Sequence, residues 1–484
     1  MVAIIINDVI IASKKYFATF CIKTANFIFK LIFLRKYDII LLRRVIKMML
    51  YARAKNYRSI GTEQTISFVA NTDKSHSNIL KKDDNLKILP VIPVYGGNAT
   101  GKTNLLKFIK TLVDIVTGKI KIEKAYEPCK FYKGEEETTF EIVFSKNEIK
   151  YYYKLSYTAE EIKEEALYYY PNGKISKIFY NNNGTYSFGN SFESSLAQYT
   201  INISKSNCFL NILSTFLGDK IDSLNNVVNF FKNDFTFINL DKNLYTIEKV
   251  KEILKKDKEK SEKIKEFIGY FYRHMNIGAR GVIYNSLSSK FKDDTKDKLK
   301  EMLKNKELAS QFNKLKLSEK DLLEILLEED DKIYLVYETN NGNFEIPIED
   351  ESEGIKKIFT LGMPLAEALC HDKIVVFDEL EVGFHPLLAR KIIELFLSEK
   401  NKAQLLFTTH NTNLLDLNLF RRDQIYFVSR TQQTDFKTTI QSLGQIPGVR
   451  KSADIEKAYL EGKYSDAPTY SSFNINEVGG IYEK

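Results

Sequence analysis

The sequence predicts an α/β fold in which buried parallel strands and helices surround a phosphate-binding loop. A complete G-x-x-x-x-G-K-[ST] motif lies at residues 96–103, between an apolar run and a helical pattern. Far downstream, the apolar run at residues 374–377 ends in two acids, as expected of a parallel strand buried on both faces. A third apolar run, at residues 405–407, leads to His410. Together these observations predict a nucleotide site built on a sheet.

The phosphate-binding loop is predicted to follow a strand at residues 88–95. Its glycines let backbone N–H groups point at phosphate oxygens. Lys102 adds a cation for the β and γ phosphates, and the Thr103 hydroxyl is a candidate Mg²⁺ ligand. Apolar residues at helical spacing between Leu105 and Val116 predict the next helix. The candidate nucleotide-binding residues are Gly96, Gly97, Asn98, Ala99, Thr100, Gly101, Lys102 and Thr103.

The acids Asp378 and Glu379 end the second apolar run. Asp378 is the candidate Mg²⁺ ligand, through water, and Glu379 the candidate base that orients and deprotonates an attacking water. The alternative is an acidic pair capping a helix that begins near Pro386. The phosphate loop in the same chain favours the catalytic interpretation.

Two more features narrow the prediction. Ser352, 26 residues before Asp378, is a predicted helix N-cap that leaves N–H groups suited to an anion. The alternative is an ordinary Ser-capped helix. His410 lies 32 residues after Asp378 at the end of a predicted strand. It is a candidate functional residue, and the alternative is a histidine with a structural role only.

The order of these motifs resembles an ABC-class ATPase of the SMC-like branch. More narrowly, residues 49–472 resemble the AAA15-type ATPases of bacterial and archaeal phage-defence operons, such as the ATPase subunit of PARIS and AbiL-type abortive infection systems, which are related to OLD nucleases. The residues that carry the resemblance are Asn56-Tyr57-Arg58-Ser59, the phosphate loop with Asn104 after it, Glu351-Ser352-Glu353-Gly354, Phe377-Asp378-Glu379-Leu380-Glu381, His385-Pro386-Leu387-Leu388, Thr408-Thr409-His410-Asn411-Thr412 and residues 450–464.

The resemblance implies a P-loop NTPase of ABC-ATPase type, with a mixed sheet, an antiparallel β lobe and an inserted helical subdomain. It implies ATP and Mg²⁺ as cofactors and adds Asn104 to the nucleotide-binding residues. It also implies that Ser352, Glu353 and Gly354 form a signature that contacts the γ-phosphate of a nucleotide bound to the opposite subunit. His410 would sense the γ-phosphate, and the protein would be a homodimer or a higher oligomer.

The chain departs from the family pattern in three places. Residues 382–384 are Val-Gly-Phe where a small residue and leucine are usual before His-Pro, and Ile355 occupies a position where threonine is common. No glutamine occurs between Asn104 and Asn190, so the usual Q-loop ligand is missing or replaced, with Glu141 as a candidate. These differences concern γ-phosphate sensing and not nucleotide binding.

The motifs divide the chain into five parts. The predicted parts are a leader (1–48), the N-terminal half of the ATPase core with phosphate loop and antiparallel β lobe (49–190), a helical insertion acting as arm or lid (191–330), the C-terminal half of the core with signature, acids and switch histidine (331–430), and a C-terminal tail (431–484).

The leader carries most of the net charge of +8. Residues 1–47 hold nine Lys or Arg and two Asp, a balance of +7, whereas the other 437 residues hold 62 basic and 61 acidic side chains, a balance of +1. A basic amphipathic membrane-surface helix is one interpretation. We favour a start-site artefact, since Met48 and Met49 directly precede the predicted first strand.

The remaining composition predicts a cytoplasmic protein. The four cysteines are scattered without the spacing of a zinc site or a disulfide framework, which fits a reduced compartment. The 74 residues after His410 hold no acidic cluster of the kind a metal-dependent nuclease needs, so we do not expect a fused nuclease. The resemblance then implies that a toxic effector, such as a nuclease, is a separate protein.

The resemblance therefore implies a dimeric, ATP-driven switch that controls a separate effector, such as a nuclease, in an anti-phage system. DNA and a phage protein are further candidate partners, and no membrane partner is expected. The alternative is an SMC-like DNA-repair or DNA-end-binding ATPase. The near-neutral charge outside the leader argues against it, because DNA binding relies on basic side chains that contact phosphates. A transporter subunit is disfavoured by the long insertion and the missing glutamine.

Overall fold

Two sheets, one largely parallel and one antiparallel, organise the fold. The computed structural model describes residues 47–83, 86–134, 136–201, 203–217, 220–240, 246–256, 258–274, 278–284, 332–382, 386–450 and 453–464. The predicted leader lies almost wholly outside the described residues, and residues 285–330 of the predicted insertion and the end of the predicted tail also lie outside them.

The core sheet carries the three apolar runs that the sequence predicts as strands. In the described part of the chain its order is β11 (Phe235–Ile238), β15 (Ile374–Phe377), β16 (Gln404–Thr408), β5 (Val91–Tyr95), β17 (Tyr426–Ser429) and β18 (Thr439–Ser442). The first five strands are parallel and β18 is antiparallel to β17. Every residue of β5, β15 and β16 is buried, which explains why these strands are mostly apolar.

The antiparallel sheet confirms the predicted β lobe. Its order among the described residues is β10 (Thr185–Phe188), β9 (Ser176–Asn182), β8 (Ile162–Tyr170), β7 (Ile149–Tyr157), β6 (Thr138–Lys146), β1 (Lys47–Lys55) and β2 (Gln64–Ser67). Strand β1 begins at Lys47, two residues before the predicted start of the core, and Met48 is only 1% exposed.

The described residues contain ten α-helices, which lie between the N-terminal half of the core and the predicted tail. They are α1 (Lys102–Val116), α2 (Ile122–Ala125), α3 (Glu193–Leu196), α4 (Phe209–Phe216), α5 (Asp222–Asn233), α6 (Ile247–Lys256), α7 (Lys258–His274), α8 (Glu353–Cys370), α9 (Pro386–Leu397) and α10 (Ile455–Leu460). None of the helices in the described ranges has the length and apolar character that a bilayer crossing requires.

Short strands complete the fold. Strand β3 (Lys81–Asp83) pairs antiparallel with β4 (Leu86–Ile88), and a small antiparallel sheet contains β12 (Ala279–Tyr284), β13 (Ile333–Thr339) and β14 (Gly342–Pro347). Strands β13 and β14 lie directly before Ser352, the predicted N-cap, in the chain.

The predicted helical insertion is not purely helical. Helices α3 to α7 lie within residues 191–330, but β11 and β12 do so as well. Strand β11 pairs with β15 and so belongs to the core sheet. The sequence pattern missed it because four residues are too few to show a period and its partner is distant in the chain.

Buried polar side chains join the two sheets. A bulge between Met49 and Tyr51 interrupts the pairing of β1 with β6. There the Met49 N–H donates to Gln404 Oε1 at 2.7 Å, and Gln404 Nε2 donates to the Met49 carbonyl at 3.0 Å. Nearby, Asp234 accepts from Lys47 at 2.8 Å and from Lys146 at 2.6 Å. The β lobe is thus fixed to the core sheet through specific polar contacts.

Candidate functional site

The phosphate loop forms the turn between β5 and α1. Ala99 and Gly101 adopt positive φ angles of 60° and 105°. A Cβ atom on Gly101 would lie 2.2 Å from Thr438 Oγ1, so glycine is required there by both conformation and space. The Lys102 ammonium donates to the carbonyls of Gly96 and Gly97 at 2.9 Å each. The loop therefore curls around its own lysine.

The electrostatic state of Lys102 follows from its burial. Desolvation lowers the pKa of Lys102 to about 8, although the carboxylates of Asp378, Glu379 and Glu381 act in the opposite direction. The lysine is charged at neutral pH and lies close to its deprotonation range. An anion that binds beside it would restore the pKa.

The carboxylate of Asp378 lies against the phosphate loop. Thr103 Oγ1 donates to its Oδ2 at 2.9 Å, and Thr408 Oγ1 donates to its Oδ1 at 2.6 Å. Strand β16 lies between β15 and β5, so Thr408 at its end stands between the acid and the loop. The strand order thus brings together the two motifs that the sequence predicted to act jointly.

Glu379 occupies a strained turn directly after Asp378. Its φ angle is +53°, a conformation that costs a non-glycine residue about 1–3 kcal/mol and clusters at functional sites. Its N–H donates to Thr408 Oγ1 at 2.8 Å, and Asn239 Nδ2 donates to the Asp378 carbonyl at 2.9 Å. These bonds fix the turn that carries the predicted base.

His410 follows β16 on the same edge of the sheet. Its N–H donates to Glu381 Oε1. Burial lowers the pKa of His410, and the positive charge of Lys102 lowers it further. The imidazole is therefore neutral at pH 7, with one nitrogen available as donor and the other as acceptor.

The predicted signature begins helix α8. The Ile355 N–H donates to Ser352 Oγ at 3.4 Å, which makes Ser352 the N-cap as predicted. The described side-chain bonds of Ser352 and Glu353 stay within this first turn, and none reaches the phosphate loop. Lys357, one turn further on, donates to the Val382 carbonyl and so ties α8 to the turn after Glu379.

The loop is also flanked by residues from both ends of the chain. Asn104 Nδ2 donates to Ser59 Oγ at 2.8 Å. Thr438 Oγ1 lies 2.7 Å from the same hydroxyl and donates to the Thr100 carbonyl at 2.8 Å. The motif around Ser59 therefore adjoins the phosphate loop, and Asn104 links the two.

One candidate residue lies elsewhere. Glu141, considered for the missing Q-loop ligand, is in β6 of the antiparallel sheet and forms an ion pair with Arg53 at 3.3 Å. No described contact joins it to the phosphate loop or to Asp378. The atypical residues Gly383 and Phe384, and His385 after them, lie outside the described residues.

The sequence analysis assigned no role to three residues that lie in the site. Thr408, the last residue of β16, holds the acid, Asn239, directly after β11, holds the turn, and Thr438, directly before β18, holds the loop. Their positions at strand ends were the only available signal, because single Thr and Asn residues form no motif.

A phosphate loop, a strand-end acid hydrogen-bonded to its threonine, and a surrounding parallel sheet define a P-loop NTPase fold, as predicted. A family profile matches residues 93–416, which span the phosphate loop, the N-cap at Ser352 and strand β16. The chain belongs to this family, described as "AAA domain, putative AbiEii toxin, Type IV TA system".

Among solved structures, the chain matches head domains of SMC proteins. The SMC head domain from Thermotoga maritima is 13% identical with a TM-score of 0.38, and the match covers 81% of this chain and 98% of that one. The SmcHead bound to the C-winged helix domain of ScpA is 12% identical with a TM-score of 0.39, covering 81% and 97%. No curated protein matches the chain.

Proposed function

We infer that this protein hydrolyses ATP and uses the reaction as a switch between two subunits. The observation that carries the inference is the Asp378 carboxylate, held between the hydroxyls of Thr103 at 2.9 Å and Thr408 at 2.6 Å. This places an acid and its neighbour Glu379 at the phosphate loop, where triphosphate chemistry requires them.

The residues present fit a Mg²⁺ ion. Thr103 Oγ1 and the Asp378 carboxylate are the hard oxygen donors that Mg²⁺ prefers, and Asp378 would act through water. When bound, the ion neutralises charge on the phosphate oxygens. Lys102 adds a second positive charge once it leaves the carbonyls of Gly96 and Gly97.

Hydrolysis needs a water aimed at the γ-phosphate. Glu379 accepts the proton of that water, since its strained turn sits beside the loop and is fixed through Thr408. Neutral His410, which follows the end of β16, donates a hydrogen bond to the γ-phosphate and so distinguishes the triphosphate from the diphosphate. Backbone N–H groups of residues 97–104 hold the β-phosphate, as in other phosphate loops.

The signature completes the site from a second subunit. Ser352 and Glu353 are exposed, and the side chain of Glu353 is 90% exposed. A helix N-terminus with free N–H groups is suited to an anion. Because the described bonds of this turn do not reach the loop of the same chain, Ser352, Glu353 and Gly354 act on the nucleotide of the partner.

The biological output is the control of a separate effector in an anti-phage system. The family description names a "putative AbiEii toxin, Type IV TA system", which supports a place in such a system. ATP binding closes the homodimer, hydrolysis opens it, and the nucleotide state decides whether a nuclease or another toxic protein is held or released. DNA or a phage protein would supply the trigger.

Glu379→Gln tests the hydrolytic role. The amide cannot accept a proton, so turnover should fall at least about 100-fold while ATP binding persists. Light scattering should then show ATP-dependent dimers or larger assemblies. Glu394→Gln, on the outer face of α9, is the matched control and should hydrolyse normally. Unchanged turnover of Glu379→Gln would refute the role of Glu379, and DNA-stimulated turnover of the unmodified protein would favour a DNA-repair ATPase instead.

A further inference from the structure

Two phenylalanines beside the phosphate loop are exposed to solvent. Phe131 lies after α2 and is 48% exposed, and Phe436 lies between β17 and β18 and is 49% exposed. Their ring centroids are 6.1 Å apart with an interplanar angle of 49°. The pair forms an apolar ledge from two segments that are distant in sequence.

Arg430 connects this ledge to the phosphate loop. Its guanidinium carbon lies 5.0 Å from the Phe131 ring centroid, within cation–π range. Its Nη1 donates to the Ala99 carbonyl at 3.3 Å, and its Nε donates to the Phe436 carbonyl at 2.6 Å. One side chain therefore contacts the loop and both segments of the ledge.

The segment that carries Phe436 has an unfavourable backbone conformation and leaves an aromatic ring exposed. Asp435 and Phe436 have φ angles of 50° and 56°, which are disfavoured for these residues. The Phe436 N–H donates to the Thr431 carbonyl at 2.7 Å, and Thr434 Oγ1 donates to the Lys437 carbonyl at 2.8 Å. Hydrogen bonds within the segment thus hold the exposed aromatic ring in place.

The same segment is anchored to the loop on its other side. Thr438 Oγ1 donates to the Thr100 carbonyl, and its N–H donates to the Ser59 carbonyl at 2.7 Å. Contacts at Ala99 and Thr100 therefore fix the ledge relative to the phosphate cradle. A group covalently linked to loop-bound phosphates is the ligand that this arrangement suits.

We propose that Phe131, Phe436 and Arg430 form the nucleobase platform of this site and that its substrate is a purine nucleoside triphosphate. Aromatic rings and a guanidinium plane bind the face of a base, and the larger purine ring gains more from stacking than a pyrimidine does. Stacking reads no base edge, so ATP and GTP both fit. The proposal rests on the proposed function, because it assumes triphosphate in the loop.

The test compares binding of ATP, CTP and inorganic triphosphate by calorimetry. The unmodified protein should bind ATP more tightly than CTP. Phe131→Ala and Phe436→Ala should weaken ATP binding about 5- to 100-fold and leave inorganic triphosphate unchanged, since only the base loses a partner. Phe131→Tyr, which keeps a ring, should restore ATP binding. Phe344→Ala, an exposed phenylalanine of β14, is the matched control and should bind all three ligands normally.

The outcomes separate the two claims. If the unmodified protein binds neither ATP nor inorganic triphosphate, the proposed function fails. If it binds both but the alanine variants keep full ATP affinity, or lose ATP and inorganic triphosphate equally, the platform is wrong. Equal affinity of the unmodified protein for ATP and CTP would overturn the assignment to purines.

Discussion

The Thr408 hydroxyl donates to Oδ1 of Asp378 at 2.6 Å and accepts the N–H of the next residue, Glu379, at 2.8 Å. One hydroxyl thus orients the acid beside the phosphate loop and the backbone of the predicted base. Thr408 is fully buried, and its strand separates the loop strand from the acid strand. It is a positioning residue that lies between the two halves of the site.

Thr408→Val tests this positioning. Valine keeps the shape but removes the hydroxyl, so Asp378 loses a donor and the Glu379 N–H loses its acceptor. We expect the turnover number to fall about 10- to 100-fold, with a smaller change in ATP affinity. Thr408→Ser, which retains the hydroxyl, should recover most of the activity. Steady-state kinetics that show equal rates for the valine and serine variants would contradict the role.

Nucleotide affinity should depend on pH through Lys102. Burial lowers the pKa of this lysine to about 8, so raising the pH through that value removes the charge that meets the phosphates. Phosphate itself has finished titrating by then, since its second pKa is about 6. ATP affinity should be constant near neutral pH and fall up to about tenfold per pH unit above the pKa of Lys102.

Calorimetry in two buffers of different ionisation enthalpy checks the same linkage. Binding near pH 8 should be accompanied by proton uptake, because the bound phosphates raise the pKa of the lysine. An affinity that does not change from neutral pH to about two units above it would show that Lys102 is not the titrating group.

The contact between Gln404 and Met49 should contribute to stability and not to chemistry. Gln404→Leu removes both partners of the Met49 backbone, leaving a buried N–H and carbonyl unpaired at a cost of about 2–4 kcal/mol. Urea unfolding should show this loss. Gln441→Leu, at an exposed position of β18, should unfold like the unmodified protein. A loss below about 0.5 kcal/mol for Gln404→Leu would mean that water replaces the glutamine.

The sequence predicted the parts of the site that occur as local patterns. The loop at residues 96–103, the acids after β15 and the N-cap at Ser352 all have a fixed spacing or a neighbouring period, and the structure places each in its expected element. The antiparallel lobe was expected from the family resemblance, and the structure contains it, with nine residues each in strands β6 and β7.

The parts that sequence did not predict depend on contacts between distant segments. Gln404 meets Met49 across 355 residues, and Thr408 acts on Asp378 only because β16 lies between two other strands. Strand β11 has only four residues, and it belongs to the sheet through its pairing with β15. Strand order is set by packing of the whole core, which no local pattern encodes.

Mixing two inactive chains tests the composite site most directly. Lys102→Ala disables the loop and Ser352→Arg blocks the signature, so each variant alone should be inactive as a homodimer. In a site shared between subunits, the heterodimer pairs one intact loop with one intact signature. Equal co-expression should therefore recover up to about a quarter of the unmodified hydrolysis rate. Activity no greater than that of the separate variants would contradict a site completed by the second subunit.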